Sequence, residues 1–240
     1  MSSDRRRGRK LGSILFWIIG MGIFCLVWER FYKGARGYYI ASLVMMTFTL
    51  GIFFSAFEKR KPQTREIVVI TVMVTLAVAG RVAFFMLPQF KPVVAIVILS
   101  GVCLGGEMGF VVGAMTGFVS NFFFGQGPWT QWQMIAFGSI GFITGILTEW
   151  NVLKKNKICL CIFGGLATLL IYGGIMNPCA VIMFTEKPTK EAFVAAYISG
   201  FWFDLIHSFA TVIFLWFLTN PILQKLERVK KKYGIMRETI

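Results

Sequence analysis

The polar positions of this chain are few and bunched, and the apolar runs between them are long. The stretches 67–87, 158–183 and 193–218 each approach or exceed the roughly 18 apolar residues that carry a helix across a hydrocarbon core. They run without the strand-like alternation of a membrane barrel. Backbone groups in lipid must satisfy one another, so these segments are read as helices. The pattern predicts an all-α membrane protein with eight spans, at about 11–28, 38–57, 67–87, 91–105, 107–124, 130–150, 158–184 and 191–219. Residues 91–124 form one apolar stretch, and a single helix of that length would run about 50 Å, far more than a bilayer needs. The break is expected at Gly105-Gly106-Glu107, and the helix before it is expected to be short and irregular.

Composition supports this pattern. The chain is 56% hydrophobic and 15% charged, where a soluble domain carries about a quarter charged residues. The net charge of +14 does not point to nucleic acid, because the basic residues sit in short blocks between apolar runs and no basic domain is large enough to fold as a reader. The blocks at 5–10, 59–61, 154–157 and 225–232 place the loops they occupy, and both termini, in the cytoplasm. The segment 29–37 keeps Arg30, Lys33 and Arg36 and is the exception. The start resembles a signal peptide, but no small-residue cleavage site follows, so a retained helix is expected. The chain divides into a basic segment and hairpin (1–57), a charged cytoplasmic linker (58–65), a six-helix core (66–224) and a basic cytoplasmic tail (225–240). The five cysteines, Cys25, Cys103, Cys159, Cys161 and Cys179, lie in or beside apolar runs and read as packing residues.

Small residues recur at helical spacing. Gly109, Gly113 and Gly117 form one stripe, and Gly138, Gly141 and Gly145 another; such stripes let helix backbones approach closely in lipid. Thr75, Ala79 and Ala83 form a third. Arg81 lies about 200° around the helix from Ala79, so the stripe and the arginine face opposite ways. The stripe suits either packing within the chain or a partner helix.

Ionisable and amide groups inside spans mark pathways or sites. Here they are Arg81, Asn121, Asn177, Asp204 and His207, with Gln126, Gln131 and Gln133 around a loop, and the predicted topology gathers them in the outer half of the bundle. The segment Gly125-Gln126-Gly127-Pro128-Trp129-Thr130-Gln131-Trp132-Gln133 combines a tight turn with flat rings and amides, which suits a neutral, partly aromatic solute. An interfacial aromatic belt would explain Trp129 and Trp132 but not the three glutamines. Arg81 and Asp204 are candidates for an ion pair across the bundle, since an unpaired buried charge is costly. His207 shares a helix face with Asp204; one histidine does not make a zinc site. There is no Walker A motif, nucleophile elbow or His-Glu-x-x-His. No enzyme activity, cofactor or metal is expected.

The blocks Gly80-Arg81-Val82-Ala83-Phe84-Phe85, Gly105-Gly106-Glu107-Met108-Gly109 and Phe124-Gly125-Gln126-Gly127-Pro128-Trp129 make the core resemble the substrate-binding (S) component of an energy-coupling factor (ECF) transporter. The resemblance implies a six-helix bundle that binds a vitamin near the outer face of a bacterial cytoplasmic membrane. It implies as partners a transmembrane coupling subunit and two ATPase subunits. An Ala-x-x-x-Ala seam on the first core helix would meet the coupling subunit, here Ala79 and Ala83, and the subunit would topple to release its cargo. The Gly-Gln-Gly-Pro-Trp block looks most like members for cobalamin or a benzimidazole precursor. The N-terminal hairpin departs from the six-helix pattern. The competing readings are a stand-alone transporter or channel, and an intramembrane enzyme using Asp204 and His207.

Overall fold

The computed structural model describes residues 63–185 and 188–234, together with residues 40, 43, 44, 46–48, 50 and 51, which are helical. The predicted span 11–28, most of the hairpin and most of the linker lie outside the described residues. Among the described residues there is no strand. From residue 63 onward the chain forms six helices: α1 (Thr64–Ala83), α2 (Val93–Leu104), α3 (Gly106–Phe124), α4 (Trp129–Glu149), α5 (Lys157–Phe184) and α6 (Lys190–Tyr233). Four of them, α1, α3, α5 and α6, are long and apolar enough to cross a membrane, which makes this a multi-pass membrane protein.

Local chemistry sets most of the helix ends. Gln63 and Glu66 form a capping box at the start of α1. The Asn156 side chain accepts from the Cys159 amide at 2.7 Å to start α5, and Thr189 accepts from the Ala192 amide at 3.2 Å to start α6. The long apolar stretch breaks where expected, at Gly105, whose φ of +83° favours glycine. The short helix before it is not irregular. α2 is a regular helix with all twelve residues buried, so its apolarity reflects enclosure by protein rather than by lipid. α6 does not stop near 219 either. It continues through Pro221 into the basic segment, and its 44 residues span about 66 Å.

The bundle has two distinct ends, defined by contacts between helix termini. At one, Arg81 near the end of α1 meets Ser120 and Asn121 near the end of α3, and Asn121 meets Gln133 in the first turns of α4. At the other, Arg65 bonds to the Tyr233 carbonyl and Lys230 to the Cys103 carbonyl. This second end also carries Lys154, Lys155 and Lys157, beside the end of α4 and the start of α5.

The two glycine stripes face each other. A Cβ on Gly109 would lie 2.5 Å from the Gly141 carbonyl oxygen, and one on Gly141 would lie 2.2 Å from that of Gly109. Gly101 of α2 enters the same contact, 2.4 Å from the Gly141 oxygen on the same measure. Three backbones therefore touch where no side chain fits. The third stripe behaves differently: Thr75, Ala79 and Ala83 are exposed while Arg81 on the other face is buried.

α5 departs from regular helix. Residues Thr168–Tyr172 form a π-helical turn, and Pro178 lies in the following segment. Pro178 cannot donate to the Gly174 carbonyl. The Tyr197 hydroxyl of α6 bonds to that carbonyl instead, at 3.3 Å.

Gly141→Ala is expected to destabilise the detergent-solubilised protein by about 1–3 kcal/mol, because backbone rather than a flexible side chain meets the new methyl. Gly174, with nothing within 4 Å of its would-be Cβ, is the matched control, and Gly174→Ala should leave the unfolding transition in place or raise it.

Candidate functional site

The polar cluster starts from Arg81, only 8% exposed although it lies in an apolar helix. Its Nη1 donates to the Ser120 hydroxyl and, at 2.9 Å, to the Asn121 side-chain oxygen. The Asn121 amide nitrogen then donates to Thr130 at 3.0 Å and to the Gln133 oxygen at 2.8 Å. The Thr130 hydroxyl also accepts from the Gly127 amide and donates to the Gln126 oxygen at 2.9 Å. Gln126 closes the chain by donating to the Phe118 carbonyl at 2.9 Å. The turn after α3, where Gly125 has φ +96°, is thus tied to the arginine through Gln126, Thr130 and Asn121.

In front of Arg81 lies a cavity of about 220 Å³, lined by Arg81, Lys91, Phe124, Gln133, Phe137, Tyr172 and His207, with Pro88, Gln89 and Val93 at the loop joining α1 to α2. The Arg81 guanidinium sits 4.3 Å from the centroid of the Phe124 ring. Phe137 and Tyr172 stack with centroids 5.0 Å apart, and Tyr172 meets the His207 ring edge-on at 4.7 Å. His207 is 3% exposed, and among the described residues its Nδ1 has no hydrogen-bond partner.

Of the residues expected from sequence, the structure brings Arg81, Gln133 and His207 into the cavity wall and puts Asn121 directly behind Arg81. Gln126 is engaged in the turn. Gln131 points elsewhere: its amide donates to Thr47 at 3.3 Å, across a second groove of about 430 Å³ between Leu43, Thr47 and Leu50 and the 126–134 segment. Trp129 stacks on Phe184 with centroids 6.5 Å apart, and Trp132 is buried with its indole nitrogen unpartnered among the described residues.

Arg81 and Asp204 are not joined. Asp204 accepts from Asn177 at 2.7 Å, and this bond links α5 to α6. The pair fits because the neighbouring positions are glycines. A Cβ on Gly200 would lie 2.2 Å from the Asn177 oxygen, and one on Gly173 would lie 2.6 Å from an Asp204 oxygen. Sequence reasoning passed over Phe124, Phe137, Lys91 and Tyr172. Only Tyr172 carried a signal, as a polar-tipped ring in the middle of an apolar run; the others are ordinary for a membrane helix or its flanking loop.

Asn121→Leu is expected to destabilise the protein by about 2–3 kcal/mol, since it removes a bond to a buried charge and leaves Gln133 and Thr130 short of a donor. Gln131→Ala, which loses only the exposed contact to Thr47, should cost well under half as much. Thermal unfolding of both variants in the same detergent checks the ratio.

Residues 61–222 match the profile of a family described as "ECF-type riboflavin transporter, S component". A UPF0397 protein of Aliivibrio fischeri strain MJ11 is 31% identical over 99 residues, covering 39% of this chain and 52% of that protein. One from Vibrio atlanticus is 27% identical over 120 residues, covering 47% of this chain and 65% of that protein. One from Aliivibrio salmonicida is 31% identical over 104 residues, covering 41% and 55%. The chain thus spans about half to two thirds of the length of these relatives. No solved structure matches it significantly. The family profile covers most of the chain and takes in five of the six described core helices whole, together with most of α6: this protein belongs to the ECF-type S component family.

Proposed function

We propose that this subunit captures a small vitamin or vitamin precursor with a planar aromatic ring, held in the cavity in front of Arg81. The observation that carries this reading is the cavity wall itself. Phe124, Phe137, Tyr172 and His207 offer ring surfaces, and Gln133 and Arg81 offer polar groups. The basic end of the bundle, with Arg65, Lys154, Lys155, Lys157 and Lys225–Lys232, supports a cytoplasmic placement for that end. The cavity then faces the outside of a bacterial cytoplasmic membrane.

Size bears on the cargo. A volume of about 220 Å³ lies below the roughly 300–1,000 Å³ of sites that enclose drug-sized ligands. That favours a compact ring system such as a benzimidazole over a whole corrinoid. Riboflavin, which the family description names, also has a flat heteroaromatic ring system and is the natural second compound to try. The exposed Thr75, Ala79 and Ala83 stripe is the proposed seam for a transmembrane coupling subunit, which would link the chain to two ATPase subunits. The enclosed α2, whose one hydroxyl, Ser100, bonds back to the Ile96 carbonyl, offers no polar route onward from the cavity, so release inside would depend on that partner.

Mass spectrometry of small molecules released from the purified protein, followed by titration with 5,6-dimethylbenzimidazole, riboflavin and cobalamin, tests the reading. A near-stoichiometric vitamin-like molecule is the expected result; an empty protein that binds none of the three would sink it. Phe124→Ala should weaken binding about tenfold, the value of one aromatic contact of about 1.4 kcal/mol. Ala83→Trp should leave binding unchanged while uptake by cells is lost. Uptake at the unaltered rate would rule out the seam.

A further inference from the structure

The lining of the cavity holds two cations, Arg81 and Lys91, and no carboxylate. A buried guanidinium normally has an acidic partner, because neutral dipoles replace only part of its lost hydration. Here the partners are a hydroxyl and an amide oxygen, and both bonds leave from one nitrogen, Nη1. Arginine has five N–H donors in a planar fork. Among the described residues Nε and Nη2 make no hydrogen bond, so three of the five remain for whatever enters the cavity. Asp204, the acid expected for this role, is committed to Asn177 on the α5–α6 contact.

Lys91 adds to the imbalance. Its Nζ donates to the Leu87 carbonyl at 2.8 Å and lies 5.6 Å from the centroid of the Phe124 ring, the ring that Arg81 also faces. Burial, and then the charge of Arg81, hold the Lys91 ammonium below the usual lysine range. Two cations repelling each other beside one aromatic wall form a site that an anion would relieve. A carboxylate matches the free fork of Arg81 in shape as well as charge, since two parallel N–H···O bonds are the favoured geometry of that pair.

We infer that the cargo is an aromatic acid: a planar ring packed among Phe124, Phe137 and Tyr172, with a carboxylate gripped by the free edge of Arg81 and screened by Lys91. This rests on the capture reading above and narrows its substrate class. The His207 Nδ1 is buried and, among the described residues, unpartnered, so it takes no part in holding Arg81 or Lys91.

The test is a set of isosteric pairs titrated against the purified full chain: benzimidazole-5-carboxylate against benzimidazole-5-carboxamide, and nicotinate against nicotinamide. The acid of at least one pair should bind ten or more times tighter than its amide. Arg81→Gln should abolish that preference. Lys91→Gln, a loop substitution outside the hydrogen-bonded core, should reduce it several-fold and keeps the test open if Arg81→Gln does not fold. Equal affinity for acid and amide overturns the inference and leaves the capture reading standing. Failure of both members of both pairs to bind also overturns it; the capture reading falls only if the released-molecule experiment also finds an empty protein.

Discussion

A guanidinium buried in an apolar helix must be solvated by something, and lipid supplies nothing. In this protein the solvation of Arg81 comes from the end of α3, itself held by the first turns of α4, and that requirement organises one end of the bundle. Ser120 and Asn121 bring α3 to the arginine. Asn121 cannot satisfy its own amide without Thr130 and Gln133, which fixes the first turn of α4. Thr130 in turn holds Gln126, and Gln126 holds the turn between the two helices. Each bond leaves a group that the next one satisfies, so the network is complete except at the cavity edge of the arginine.

The close approach of backbones makes that network geometrically possible. Gly109 and Gly141 hold α3 and α4 nearly in main-chain contact, with Gly101 of α2 against the same carbonyl. Helices kept that close leave little freedom for the turn joining them. The α5–α6 pair uses small residues differently. Gly173 and Gly200 open room for the Asp204 carboxylate and the Asn177 amide to meet between helices. The π-helical turn ends at Tyr172, the residue whose ring joins the Phe137 stack to His207. Packing and site are therefore built from the same irregularities, as is common where a helix departs from regular geometry.

The cavity differs from the binding surface that the chain's composition suggests. Amides are abundant in the 126–133 segment, yet only Gln133 lines the cavity. The others hold the turn or face the groove near Thr47. What remains exposed to a ligand is mainly ring surface and positive charge. On the proposed reading, such a site would select by shape against the rings and by charge beside Arg81 and Lys91, rather than by many neutral hydrogen bonds.

The sequence by itself determined a great deal. Long apolar runs admit only helices in lipid, so the α class and the break at Gly105 were legible from hydropathy and glycine alone. The opposed faces of the α1 stripe and Arg81 followed from helical periodicity, and the two glycine stripes announced their own contact. Partner choice among polar groups was decided only by the tertiary structure. Nothing in one dimension says that Asp204 faces Asn177 rather than Arg81, because that depends on how α5 and α6 are rotated, and the rotation is set by Gly173, Gly200 and the π turn. The regularity of α2 and the roles of Phe124, Phe137 and Lys91 were likewise invisible. An apolar residue reads the same whether it faces lipid, core or cavity, and only the packing of neighbouring helices distinguishes the three.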